Sequence, residues 1–390
     1  MLTSGIYLKN FKKNKKTNSS QVKKKLLLLF KEKNYILDSI KKNYKDSFSK
    51  KIINKYKKYS TFKVIGMGGS TLGTQTIYEF FKDIVKKDFV FIDNLTQKKL
   101  NTKNKRSVNL VVSKSGNTIE TVVNSNIYIR RKDANIFITE NKDNYLLKLA
   151  NKLKAEIVHH NNYIGGRYSV LSEVGMLPAE LMGLDANKFR QLNSLIKNKQ
   201  FINSLVSGIS STLNYIKNKK YNSVILNYDE KSENLFKWYQ QLVAESLGKK
   251  SKGLLPIVSN MPKDNHSVMQ LYLDGFKNNF YTFFYTNELK SESLKSSQIL
   301  SSQKFLRGKN LSNIMYAQKI ATENVFNKKK IPFRSFEIKK RNEKTLGELF
   351  CFFILETILI GKLLNLNPYD QPAVELSLIH ISEPTRQSLI

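Results

Sequence analysis

Cysteine is almost absent from this chain: of 390 residues only Cys351 carries a thiol. A single cysteine excludes an intrachain disulfide, and its place in the apolar run CFFILETILI reads as a small buried hydrophobe. That usage fits a reducing compartment, so a cytoplasmic location is expected. Histidine is scarce too, four in all, and no His/Cys/Asp/Glu group has metal-ligand spacing, so no metal is expected. Long apolar runs are missing. LLLLF is too short, and CFFILETILIGKLL is interrupted by Glu356, so neither supplies the ~20 apolar residues of a membrane helix. The opening residues, MLTSGIYLKNFKKNKK, lack the apolar centre of a secretory leader. Acidic residues are outnumbered 66 to 31 by lysine and arginine, a net charge of +35. The excess is mostly lysine mixed with asparagine and spread through the chain, as in KNFKKNKK and IKNKKYN. That distribution reads as solvated surface, with neither nucleic acid nor membrane expected as a partner, although such a field favours an anionic substrate.

What is present is organised around Phe62–Gly73, FKVIGMGGSTLG. An apolar run enters a cluster of glycines and hydroxyls, and helical periodicity follows in IYEFFKDIV. Strand, glycine turn and helix N-terminus together suit an anion, usually a phosphate. A dinucleotide loop needs a third glycine where Thr71 stands, although Asp93 imitates the ribose-binding acid of that fold. A Walker loop needs a lysine after Gly73, where Thr74-Gln75 follow. Neither nucleotide loop fits, and no cofactor is expected.

The same theme returns in VVSKSGNTIET. Ser113, Ser115 and Thr118 surround Gly116 with hydroxyls, and Lys114 adds a charge. One such hydroxyl is ordinarily a helix N-cap. Several beside a second glycine-hydroxyl loop favour a compact phosphate monoester over a diphosphate.

Along the chain, Asn18–Tyr44 reads as an amphipathic helix. From Phe62, five short β-branched runs (KVIGMG, FVFID, NLVVSKS, NIFITE, EIVHH) alternate with helical stretches, a parallel-sheet pattern. A helical stretch follows Gly165, then a long helix Ala186–Lys217. The alternation restarts with SVILNY, LLPIVS, NFYTFFYT and IPFRSFEI, interrupted by a polar excursion at Ser291–Leu306. The expected fold is α/β, two α/β/α sandwich domains, each around a mainly parallel sheet, with additional helices. The expected division is a helical extension over 1–60, a first domain over 61–185, a connecting helix over 186–205, a second domain over 206–376 and a tail over 377–390.

GMGGSTLG followed by SKSGNTIET, GGRYS, ESLGKK, DNHS and NPYDQPAVEL, in that order from about Phe62 to Leu376, resembles the successive signatures of the glucose-6-phosphate isomerase family. The resemblance implies reversible isomerisation of glucose 6-phosphate to fructose 6-phosphate, a step of glycolysis and gluconeogenesis, in a homodimer with its active site at the interface. Carried over residue by residue, it implies that Ser113, Lys114, Ser115 and Thr118 hold the sugar phosphate, with Gly69 and Ser70 beside them. Gly166 and Arg167 match the GGR whose arginine faces the reacting carbons. Glu245 matches the base that moves a proton between C2 and C1, with Gln241 one helical turn before it. His266 matches the histidine that opens the sugar ring, delivered from the neighbouring subunit. His159 and His160 match nothing and read as structural. A dual glucose/mannose phosphate isomerase and a non-catalytic sugar-phosphate-binding protein are the alternatives.

The resemblance breaks after Gln371–Leu376. The family continues with Gly-Lys and a closing helix, and that lysine assists ring opening. Here Ser377-Leu378 and IHISEPTRQSLI follow, similar to a translated sequencing-adapter peptide. Ser377–Ile390 is therefore expected to be non-native, with His380 carrying no function and ring opening impaired.

Overall fold

The structure, a computed structural model, describes residues 1–12, 19–96, 106–130, 133–288 and 291–376. The tail expected to be non-native lies outside the described residues. The chain opens with a short strand, β1 (Ile6–Lys9), and three helices, α1 (Ser19–Lys31), α2 (Tyr35–Ser39) and α3 (Lys50–Tyr56). Strands and helices then alternate: β2 (Thr61–Ile65), α4 (Leu72–Phe80), β3 (Asp88–Ile92), β4 (Ser107–Val112), α5 (Ile119–Tyr128), β5 (Ala134–Glu140), α6 (Tyr145–Lys152) and β6 (Glu156–His160). Helices α7 (Glu173–Met182), α8 (Ala186–Phe189), α9 (Leu192–Leu195) and α10 (Lys199–Lys217) lead to a second alternation. It runs β7 (Asn222–Asn227), α11 (Glu233–Leu247), β8 (Leu255–Asn260), α12 (Met269–Asp274), β9 (Asn279–Thr286), α13 (Leu311–Lys328), β10 (Phe333–Ile338) and α14 (Glu343–Leu363).

The strands form two five-stranded sheets, β3-β2-β4-β5-β6 and β1-β10-β9-β7-β8. All neighbours are parallel except β1, which runs antiparallel to β10. Every strand expected from the sequence is present, and the α/β sandwich class holds. In each sheet the first strand of the alternation, β2 or β7, lies between its two successors. The connection leaving β2 or β7 and the one leaving its neighbour β4 or β9 therefore run in opposite directions, which opens a crevice at their C-terminal ends, where ligands of open α/β sheets bind.

Three expectations are corrected. The first 60 residues are not purely helical, because Ile6 and Leu8 turn inward, Tyr7 and Lys9 outward, and the strand they form completes the second sheet. The long helix Ala186–Lys217 is broken into α8, α9 and α10. Arg190 adopts extended backbone between α8 and α9, and its side chain turns inward to pair with Asp46 at 2.6 Å. Asn198 then starts α10 afresh, its side chain accepting from Phe201 N at 3.0 Å. The stretch Asn18–Tyr44 likewise splits, where Asn34 accepts from Ile36 N and Leu37 N to cap α2.

Helix α14 packs within the core shared by both sheets, and its apolar run is almost wholly buried. Asn342 caps it, accepting from Thr345 N at 2.8 Å. Cys351 is buried there, and burial pushes its thiol up to about 12, as expected of an inert small hydrophobe. The glutamate that interrupts the run is not solvated. Glu356 receives both Nη atoms of buried Arg334, whose Nε donates to Thr282 at 3.1 Å. The rings of Phe11, Phe336 and Phe352 surround that guanidinium at 5.3 to 5.8 Å. A buried pair is costly to break singly, because one charge remains without its counterion. Glu356→Ala is expected to cost about 3–5 kcal/mol in urea denaturation. Arg334→Met combined with Glu356→Leu is expected to cost much less, and equal losses would deny the pair this role.

Candidate active site

Arg167 follows β6 by a short loop and begins a 3-10 segment, Gly166–Leu171. It is 2% exposed, and all five of its guanidinium N–H groups have partners. Nε donates to Ser246 Oγ at 2.8 Å, and Nη2 donates to the carbonyls of Pro368 at 2.8 Å and Asp370 at 3.0 Å. Nη1 donates to Glu245 Oε2 at 3.1 Å and to Gln371 Oε1. Its own carbonyl accepts from Trp238 Nε1 at 3.0 Å.

Helix α11 supplies the other side. Leu235, Trp238, Leu242 and Val243 bury one stripe in the core, as their spacing predicts, and leave Gln241 and Glu245 one turn apart beside the arginine. Gln241 Nε2 donates to Glu245 Oε1 at 2.8 Å, so each carboxylate oxygen has one donor. The Oε1 of Gln241 is buried without a hydrogen-bond partner, an acceptor free for a ligand hydroxyl. Gly69 explains why the opening glycine stretch approaches this group. A Cβ there would lie 2.3 Å from the Gly166 carbonyl carbon and 2.6 Å from Arg167 N, so only glycine allows the two segments to lie back to back. Ser70 follows, half-buried. Asp93, which imitated a ribose-binding acid, instead accepts from Gln75 Nε2 at 2.6 Å.

The hydroxyl loop lies at the end of β4, next to β2 in the sheet. Ser113 Oγ and Thr118 Oγ1 are 3.0 Å apart, and Ser113 Oγ accepts from Gly116 N at 3.2 Å. Ser115 is exposed and accepts from Asn117 N at 3.4 Å. Gly116 has φ +67° and abuts the Asn144 side chain, which excludes a Cβ twice over. Thr118 stands at the N-cap of α5 yet makes no side-chain cap, leaving its hydroxyl in the loop. Lys114 is half-buried, and burial holds its ammonium below the ordinary lysine value despite the opposing fields of Glu140 and Glu375.

Glu245, Arg167, Gln241, Gly69 and Gly166 thus form one cluster, and the hydroxyl loop forms a second on the adjoining strand end. His266 belongs to neither. It is exposed in a short turn after the edge strand β8, and its ring makes no hydrogen bond to the arginine cluster. Sequence reasoning omitted Ser246, Gln371 and Lys249. Lys249 Nζ donates to the carbonyls of Asn367 and Asp370 and pairs with Asp370 Oδ1 at 2.6 Å. That bond holds the Asp370 carboxyl below its usual range and fixes the loop whose carbonyls grip Arg167. The signal was in ESLGKK and NPYDQPAVEL, but only folding brings these motifs together. Among the described residues, no group of three His/Cys/Asp/Glu side chains is placed to hold a metal ion, and no helix is long and apolar enough to cross a membrane.

The phosphoglucose isomerase family model matches residues 30–383. The chain belongs to the phosphoglucose isomerase family. Among curated relatives, it is 32% identical over 368 residues to a glucose-6-phosphate isomerase of Methanocaldococcus jannaschii, covering 87% of this chain and 88% of that one. It is 32% identical over 343 residues to a glucose-6-phosphate isomerase of Mycoplasmopsis pulmonis, covering 80% of each. The fold is shared with a solved hypothetical protein of Thermus thermophilus, at TM-score 0.83 and 22% identity over 94% of both chains. It is also shared with a glucose-6-phosphate isomerase of Chlamydia trachomatis, at TM-score 0.71 and 18% identity over 87% of this chain and 72% of the other.

Because burial lowers the proton affinity of Lys114, its charge is lost earlier than an ordinary lysine's as pH rises. Calorimetric titration with inorganic phosphate is expected to show affinity falling toward alkaline pH. Lys114→Gln is expected to bind about 10-fold more weakly at neutral pH, and with no such fall.

Proposed function

We infer that this protein is an aldose–ketose isomerase that interconverts glucose 6-phosphate and fructose 6-phosphate. The observation that carries the mechanism is the single carboxylate of Glu245, held by Gln241 on one oxygen and by buried Arg167 on the other. Isomerisation of a 2-hydroxyaldehyde needs one base that removes the C2 proton and, as the conjugate acid, returns it to C1. The C1 carbonyl becomes a hydroxyl and the C2 hydroxyl a carbonyl, so no external reductant is involved. The cis-enediolate between these steps carries negative charge. In our reading Nη1 of Arg167 faces it, the guanidinium nitrogen already directed at the base. The remaining N–H groups of Arg167 hold its plane, so stabilisation needs no reorganisation when charge develops. Ser113, Ser115, Thr118 and Lys114 take the phosphate, with Ser70 and the Gly69 backbone beside the sugar.

Ring opening is assigned to His266 of a second copy. Its exposure, with no hydrogen bond from its ring to the Glu245 cluster among the described residues, supports delivery across a homodimer interface, with each site completed by its neighbour. A soluble cytoplasmic enzyme fits the sugar-phosphate substrate and the single unpaired cysteine.

The test is a coupled assay of glucose 6-phosphate formed from fructose 6-phosphate. Glu245→Gln is expected to lower kcat by about 10²–10⁴-fold with KM little changed. Turnover that survives the substitution would remove Glu245 from the mechanism. Mixing inactive Glu245→Gln with inactive His266→Gln is expected to restore activity, since one site of the mixed dimer then holds both native groups. No recovery from a mixture that demonstrably exchanges subunits would place the histidine outside the shared site.

A further inference from the structure

His160 was expected to be merely structural, yet its ring sits directly behind the arginine segment. It ends β6, is 2% exposed, and its Nε2 lies 3.0 Å from the carbonyl oxygen of Ile164, three residues before Arg167. A carbonyl oxygen only accepts, so Nε2 carries the proton in that bond. Its other nitrogen, Nδ1, faces Glu173 Oε2 at 3.6 Å, and both atoms are buried with no other partner. Glu173 opens α7 at the far end of the same 3-10 segment, and its other oxygen accepts from Tyr44 Oη at 2.9 Å and Ser47 N at 3.3 Å. Burial raises the Glu173 carboxyl, but the facing His160 ring and the hydrogen bond from Tyr44 carry it below the usual range, so it stays an anion.

The surrounding groups make the same arrangement rigid from the N-terminal side. Ser47 Oγ donates to the His159 carbonyl at 2.6 Å. Arg190 donates through Nε and Nη2 to the Leu171 carbonyl, at 3.2 and 3.0 Å, pairs with Asp46, and lies over the Tyr44 ring. The segment that carries Arg167 is therefore fixed before its start by His160 and at its last residue by Arg190. Between these points Gly165 and Gly166 have no side chains of their own, so their backbone is held by bonds from others, Ser169 Oγ to the Gly166 carbonyl at 2.7 Å within the segment and the His160 ring to the Ile164 carbonyl before it.

We propose that His160 and Glu173 form a buried positioning pair that sets the path of Ile164–Gly166 and thereby aims Arg167 at the enediolate, a role that rests on Arg167 facing that intermediate. A misplaced guanidinium weakens binding of the developing charge more than binding of the phosphate, because the phosphate loop belongs to β4 and α5.

The probes are D-arabinonate 5-phosphate, a five-carbon aldonate whose carboxylate carries charge where the enediolate does, and inorganic phosphate. Both are titrated calorimetrically against the full chain. His160→Leu is expected to weaken aldonate binding by about 10- to 100-fold while phosphate binding changes by less than about 2-fold. In turnover of fructose 6-phosphate, kcat is expected to fall with KM nearly unchanged. His160→Gln, whose amide still donates, is expected to recover most of the loss. Glu173→Gln, nearly isosteric, serves where His160→Leu fails to fold, and the same split between the two probes is expected. Aldonate binding unchanged in both variants, or phosphate binding lost in the same proportion, overturns the positioning role. A wild-type chain that binds phosphate but not the aldonate overturns it too, by removing Arg167 from the enediolate site.

Discussion

A permanently charged guanidinium with almost no solvent is expensive unless every N–H finds an acceptor. Arg167 meets that demand with oxygens from helix α11 and from the loop at Pro368–Gln371. The requirement also works in reverse. Segments 78 to 204 residues away in sequence must converge on one plane, or the arginine is left with unpaired donors. Much of the site geometry is a consequence of satisfying this one side chain. Lys249, in the turn after α11, extends the same logic by holding the loop whose carbonyls serve as acceptors.

The two sheets make that convergence possible. Each places a switch point at the end of the first strand of its alternation, and the first surrounds it with both glycines and hydroxyls. The second contributes its helix, α11, whose apolar stripe is buried against α14 while its polar residues reach the first domain's glycine turn. Gly69 and Gly166 bring the backbones of the opening turn and the arginine segment into contact, which a side chain at Gly69 would prevent. An ammonium, a carboxylate and a guanidinium are thus supplied by different elements, each held by its own packing.

Strand positions were legible because the β-branched runs are short, regular and separated by helical periodicity. The hydroxyl loop was legible because hydroxyls and glycine lie within six consecutive residues. β1 was missed: four residues in a polar leader give a weak alternation, and pairing with β10 supplies the stability that propensity does not. The single helix read over Ala186–Lys217 failed at Arg190, where an inward salt bridge overrides helical continuity. His160 was set aside because a histidine in a strand carries no signal until its neighbours are known. Ile164 lies nearby in sequence, but the carboxylate that completes its surroundings comes from the start of the next helix.

By itself the sequence determined the class of fold, the kinds of chemical group available and the spacing of Gln241 and Glu245 on one helical face, since these depend on local periodicity and side-chain chemistry. Tertiary structure alone decided that Arg167 is buried rather than solvated, that Glu245 shares its arginine with Gln371, and that His266 is exposed with no hydrogen bond to either. Burial and hydrogen-bond satisfaction are properties of segments brought together across the fold, and no local pattern encodes which distant oxygen will meet a given donor.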